Sequence, residues 1–419
     1  MPDTDKIKAL AINGGTPVRS TPFPTHMDAS GRDLGEEEKR LLCQIIDHGC
    51  MNRFGGSMVL EFERDFAALH GRAHGIASTS GTAALHVAVG ALDLEPGDEI
   101  ITTPVTDPGT VIGILLCNAV PIFADVDPRN GNILPASIEA NITDRTRGII
   151  PIHMSGRPAA MDGVMAIAKK HSLPVIEDCA QAHLAEYKGR LVGTIGDMGA
   201  YSFQQSKHMS TGDGGIVITD NDAIAERARL FADKGWPREE QPRDHLFLGP
   251  NYRMTEFQGA IGVAQTPKLK RTVERRRATA GALMTKLQGV AGIELPDIRD
   301  ENPSWWTFPL WVDEDALDVT PAGFRDALNA EGIPCQVGFM VRTMLDYTFM
   351  KERRTYGQSQ YPWTSPDARP GIEYREEDLP GARAAVTKPI LIHWNEGIRA
   401  GDVEDVAQTV TRVCEAYRR

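Results

Sequence analysis

The chain has 419 residues, 41% hydrophobic and 24% charged, a balance that excludes a disordered or fibrous protein and allows one large domain or two. A net charge of −12 and a pI near 5.5 argue against nucleic acid as a partner, because a phosphate backbone would be repelled overall. No stretch approaches membrane-spanning length, the first ten residues contain no signal core, and the six cysteines form no metal or redox pair. A reduced, cytoplasmic protein is expected, with no membrane contact and with most cysteines buried as small hydrophobes.

In chain order, residues 36–265 alternate short apolar runs with segments of helical spacing. The runs at 99–103, 120–124, 148–152, 174–177, 198–203 and 215–219 read as strands. The segments 82–92, 109–117, 135–141, 161–171 and 221–233 read as helices. Such alternation predicts an α/β fold, a mostly parallel sheet covered by helices whose ligands gather at the carboxyl ends of the strands. A polar stretch at 267–287 reads as a connector helix, and its run Glu274-Arg275-Arg276-Arg277 as a solvated face. Beyond it, strand-like 305–312, a helix at 321–331, strand-like 334–338 and 386–392, and a closing helix at 402–417 predict a smaller α+β domain. The domains expected are therefore 1–265 and 266–419. Residues 350–378, rich in Arg, Pro, Gly and Tyr, read as a long loop of the kind used as a lid or subunit contact.

Four segments carry chemistry. At 78–85, Ser80, Gly81 and Thr82 open a helix, and small residues there free backbone N–H groups that can cradle a phosphate; the same residues also read as an ordinary helix cap. At 175–183, Asp178 stands at the end of a buried strand, where an acid needs a partner or caps the next helix. At 201–208, Lys207 follows a strand and precedes the glycine-rich turn 211–215, a setting suited to a Schiff base if burial and a neighbouring cation lower the lysine pKa. At 249–256, Asn251 precedes a helix of small residues that reads simply as a capped helix start.

Those segments, in that order, resemble the DegT/DnrJ/EryC1/StrS family of sugar and cyclitol aminotransferases. The resemblance runs from residues 10–19 to the closing helix, and is most specific at 177–185, 202–207, 211–215 and 251–262. It implies pyridoxal-5′-phosphate (PLP) as cofactor and fold type I, with a mostly parallel seven-stranded sheet and a smaller C-terminal domain. It implies that Lys207 forms the Schiff base and moves protons, and that Asp178 pairs with the pyridine nitrogen. It places Gln181 against the ring, and Ser80, Gly81, Thr82 and Ser202 at the phosphate. Asn251 would reach the same phosphate in a second subunit, making the active unit a homodimer. The reaction implied moves an amino group from L-glutamine or L-glutamate to a ketone on a polyhydroxylated ring, in secondary-metabolite synthesis.

The chain also departs from that pattern. Many relatives carry a ring-stacking aromatic after the strand ending near Pro104, where this chain reads Val105-Thr106-Asp107-Pro108-Gly109-Thr110. Asp107 could meet a substrate hydroxyl or amine, or cap the helix before Pro108. Ser304-Trp305-Trp306-Thr307 replaces a Tyr-His pair usual in relatives acting on nucleotide sugars. Dehydratases of the family replace the lysine with histidine; Lys207 followed by His208 favours transamination. The rival expectations are a dehydratase or aromatising enzyme on the same scaffold, and a non-enzymatic regulator or partner subunit.

Overall fold

The computed structural model describes residues 4–239 and 241–419. The central sheet contains β1 (His74–Ser78), β2 (Glu99–Thr102), β3 (Val120–Phe123), β4 (Thr146–Ile149), β5 (Ile176–Asp178), β6 (Met198–Ser202) and β7 (Gly215–Thr219). Their spatial order is β3-β2-β4-β5-β6-β7-β1, with β4 and β5 joined through single bridges from Ile149 to Val175 and from Ile152 to Asp178. Only β7 runs antiparallel to its neighbours, so the mostly parallel seven-stranded sheet is present. β2, β3, β6 and β7 are buried along their whole length, which is why their sequences run apolar without alternating.

Helices α1 (Glu36–His48), α2 (Met58–Leu69), α3 (Gly81–Gly90), α4 (Pro108–Leu116), α5 (Met161–His171), α6 (Asp222–Phe231) and α7 (Glu256–Leu287) accompany the sheet. α3 is buried from Ala83 to Gly90 and packs on β6, β7 and α4, which fixes its first turn at the strand ends. α7 begins well before the connector expected at 267 and runs on through Pro267, so the division drawn at 265/266 falls inside one helix. A capping box between Thr255 and Gln258 sets its start. Gly259 and Gly262 let α7 lie against α2: a Cβ on Gly259 would stand 2.7 Å from the Val59 nitrogen. The basic run is not a solvated face throughout. Arg276 is fully buried, because helical spacing turns it inward while Arg275 faces solvent.

The C-terminal part holds an antiparallel sheet of β8 (Ile293–Glu294), β9 (Thr307–Val312), β10 (Cys335–Val337) and β11 (Pro389–His393), in the order β8-β9-β11-β10. It is covered by α8 (Pro321–Ala330) and α9 (Ala400–Tyr417). β9 starts later than expected because Trp305 adopts a left-handed backbone, φ +54°. Residues 350–378 form a strap over the edge strand β3: the Tyr374 hydroxyl donates to the Pro121 carbonyl (2.6 Å), and Arg369 reaches the buried Glu99 (2.8 Å). Trp363 and Ile372 bury themselves in the core that contains Phe123. All six cysteines are free; Cys179, Cys335 and Cys414 are buried, Cys50 and Cys117 half-buried and Cys43 exposed, so only half behave as expected. Among the described residues no helix is long and apolar enough to cross a membrane.

Candidate active site

The carboxyl end of β5 places two acids side by side. Glu177 is fully buried and accepts from the backbone N–H groups of Gly193 (2.8 Å), Ile195 (2.6 Å) and Gly196 (2.6 Å). His153 completes the set: its Nδ1 accepts from Ala159, so its Nε2 carries the proton donated to Glu177 (3.0 Å). Burial alone would push the Glu177 carboxyl up, but His153 and the backbone donors outweigh it and hold it below its usual range. Cys179 joins these two residues in a buried group with ligand atoms within 4.8 Å of one another, yet the Glu177 oxygens are already taken up. Asp178 points the other way, 4% exposed, accepting from Ala180 N–H (3.0 Å) and from the Thr110 hydroxyl (2.8 Å), which is itself bonded to Thr106. Burial keeps its carboxyl above the usual range, because these donors and the Lys207 charge only partly offset the loss of water.

Lys207 lies on the loop that follows β6. Its Nζ makes no hydrogen bond or ion pair among the described residues, and stands 4.3 Å from the centre of the Trp306 ring. Burial lowers its pKa to about 8, while the charges of Asp178 and Asp107 oppose the shift; the neighbouring cation expected from the sequence is not the cause. Roughly a tenth of such an amine is uncharged at pH 7, a nucleophilic fraction far larger than that of a lysine with the ordinary pKa of 10.5. Trp306 is held in place by its Nε1–H, which donates to the Ser206 carbonyl (2.8 Å). His208, next in sequence, turns away: it is buried, its pKa pushed well below the usual value by burial, and its Nε2 donates to the Ser304 carbonyl (3.1 Å).

Ser80 caps α3, its hydroxyl accepting from Ala83 N–H (3.0 Å), so that hydroxyl is committed to the helix. The N–H groups of Gly81 and Thr82, in the first turn, have no intrahelical partner and point off the helix start. Ser202, at the end of β6, closes this cradle: a Cβ on Gly81 would stand 2.5 Å from the Ser202 Cβ and 2.8 Å from its Oγ. Gln181 is buried and accepts from Ser155 N–H (2.8 Å), whose residue sits in a left-handed turn (φ +57°) and bonds Thr307 through its hydroxyl (2.7 Å). Asp107 caps α4 through Gly109 N–H (2.9 Å), and its charge still reaches Lys207 and Asp178. Asn251 is exposed, bridges to Asp233, and makes no hydrogen bond to any of these residues. Sequence reasoning missed Thr110 and Trp306, although both lie in segments marked as departures from the family pattern.

Compared with known proteins, residues 32–411 match the model of the DegT/DnrJ/EryC1/StrS aminotransferase family. The chain belongs to that family. It is an aminotransferase with the fold-type-I architecture. Among similar proteins, the L-glutamine:2-deoxy-scyllo-inosose aminotransferase of Streptoalloteichus tenebrarius is 37% identical over 78% of this chain and 80% of its own. The Bacillus subtilis spore coat polysaccharide biosynthesis protein SpsC is 32% identical over 90% of this chain and 94% of its own. Among solved structures, an aminotransferase from Psychrobacter cryohalolentis superposes with a TM-score of 0.78 at 30% identity, covering 91% of this chain and 97% of that one.

Proposed function

We propose that this aminotransferase uses PLP, held by Lys207, to move an amino group from L-glutamine or L-glutamate to a ring ketone of a cyclitol or sugar. The observation that carries the reading is Lys207 itself, an amine with no hydrogen bond or ion pair among the described residues and a pKa of about 8, near a buried acid kept above its usual range. The residues fit the cofactor: the Gly81 and Thr82 N–H groups and the Ser202 hydroxyl suit a phosphate, in a cradle that one extra Cβ would fill. Asp178 suits a protonated ring nitrogen, which would supply the opposite charge its burial lacks. Gln181 lines the same loop system, and the partner subunit's Asn251 would complete the phosphate site in a homodimer. When bound, PLP supplies an electron sink for the charge released at the donor Cα.

The chain's own residues account for the remaining steps. With PLP bound, the Lys207 Nζ would take the proton from the donor Cα and pass it to the cofactor carbon that the lysine had held, so that water could release the keto acid while the nitrogen stays behind. Asp178 would keep the ring nitrogen charged through both halves. The ketone would then condense with loss of one water, and the same proton transfer run in reverse through Lys207 would release a ring amine. The similarity to a 2-deoxy-scyllo-inosose aminotransferase supports a cyclitol acceptor, and the Trp305-Trp306 pair in place of Tyr-His speaks against a nucleotide-linked one.

The test is the absorbance of purified protein with PLP, before and after L-glutamine and then L-glutamate. A yellow band that one donor bleaches is expected, and Lys207→Ala should lose both band and turnover while its circular dichroism stays unchanged. A band that no donor bleaches would sink the transamination reading.

A further inference from the structure

Three consecutive residues of the lysine loop are each bound from outside the large sheet. Gln205 Nε2 donates to the His26 carbonyl (2.7 Å), the Ser206 carbonyl accepts from Trp306 (2.8 Å), and the Lys207 carbonyl accepts from Arg32 Nη1 (2.6 Å). The Arg32 side chain is 3% exposed, and its Nη2 is buried with no hydrogen-bond partner among the described residues. Glu396 stands 3.5 Å from Arg32 and 2.6 Å from Arg276, so one carboxylate is shared between two buried guanidiniums. Arg276 in turn donates to the carbonyls of Trp305 (3.2 Å) and Trp394 (2.9 Å). A continuous polar chain therefore runs from the backbone of Lys207 to the segment beside Trp306 and to the end of β11.

Burying a second guanidinium beside Arg276 carries a desolvation cost against which Arg32 has only a distant share of one carboxylate, and burial lowers the Arg32 pKa to about 10. An apolar side chain of similar size would avoid that desolvation cost. Arg32 does something an apolar side chain cannot: it grips the carbonyl of Lys207.

We propose that Arg32 is a positioning residue for Lys207, tying the lysine loop to the N-terminal segment and, through Glu396 and Arg276, to the C-terminal sheet. The inference rests on Lys207 being the anchor of the cofactor. Lys207 is then held at its working position only while both outer segments are docked, and Trp306 covers the Nζ from the same side.

The experiment compares wild type, Arg32→Met and Arg32→Lys. Arg32→Met leaves Glu396 paired with Arg276, so the fold keeps a neutralised charge. In cofactor-free protein, amide exchange of the peptide covering 203–209 should quicken about 10-fold in Arg32→Met and less in Arg32→Lys. In loaded protein, kcat should fall roughly 10- to 100-fold with both KM values within about 3-fold, and Arg32→Lys should recover part of the loss. Should Arg32→Met fail to fold, Gln205→Ala tests the same clamp without stranding a buried charge, with a several-fold smaller kcat expected. Wild-type exchange and kcat in the variant that folds would overturn the proposal. Failure of wild-type protein to attach PLP to Lys207 would instead overturn the cofactor reading, so the two failures are distinguishable.

Discussion

The two faces of β5 at its carboxyl end carry neighbouring buried acids with opposite fates. On one face Glu177 has three backbone donors and an imidazole, and its carboxyl sits below the usual range. On the other, Asp178 has two donors and a carboxyl held above it. Burial is the same; satisfaction differs. A fully satisfied acid pins the loop 192–196 and is structural, whereas an under-satisfied one, its burial only partly offset by the Lys207 charge, is poised for a further cationic partner.

The comparison breaks most severely at Glu177. Glu177→Ala strands three backbone N–H groups and should cost about 3–5 kcal/mol of unfolding free energy, measured by urea denaturation. An unchanged midpoint would remove its structural role. Asp178→Asn should leave the urea midpoint intact or raised but reduce kcat by about 10²–10³-fold, read from steady-state assays with PLP in excess. A full-speed variant would take Asp178 out of the chemistry.

The two acids should also part with pH. A carboxyl whose pKa falls on folding stabilises above its unfolded value and loses that contribution as pH drops below it. For Glu177 the contribution is complete at pH 7 and fades below its ordinary 4.5. Asp178 has the opposite sign: its raised pKa costs stability at pH 7, a cost relieved as pH falls toward its ordinary 3.8. Cofactor-free Asp178→Asn should therefore gain on wild type at pH 7 and lose that gain near pH 4, as thermal melts across the range would show. The smallest effect concerns Lys207. Its acetylation in cofactor-free protein, followed by mass spectrometry, should have a midpoint near pH 8, and Asp107→Asn should lower that midpoint slightly by removing one of the charges that raise it. A midpoint near the ordinary 10.5 would mean that burial does not govern the amine.

How much of this was legible in the sequence depended on locality. Helix α5 and strand β7 begin and end where the pattern placed them, because each is bounded by its own turn chemistry. Lys207, Asp178, Gly81 and Ser202 were legible because short runs next to strand ends hold them. The residues that escaped depend on distant partners. Trp306 meets Ser206 from 100 positions away, and Thr110 reaches Asp178 across 68. Arg276 reads as a surface charge until Glu396, 120 positions on, is folded against it. Pro267 looks like a boundary because a proline removes a helical donor, but packing of α7 on α2 through Gly259 and Gly262 carries the helix past it. The 350–378 segment reads as a lid or subunit contact because composition shows its loop character and length, not the edge it covers.

That seal has a bearing on synthesis. β3 is one of the two edge strands of the large sheet, and the tyrosine that occupies its Pro121 carbonyl lies 253 residues later. While the ribosome is still making the C-terminal third, the nascent sheet carries an uncovered rim able to recruit extended segments of other chains. Translation ending before Tyr374 would leave that rim permanently open, and such fragments should accumulate as aggregates even though every strand of the sheet is already present.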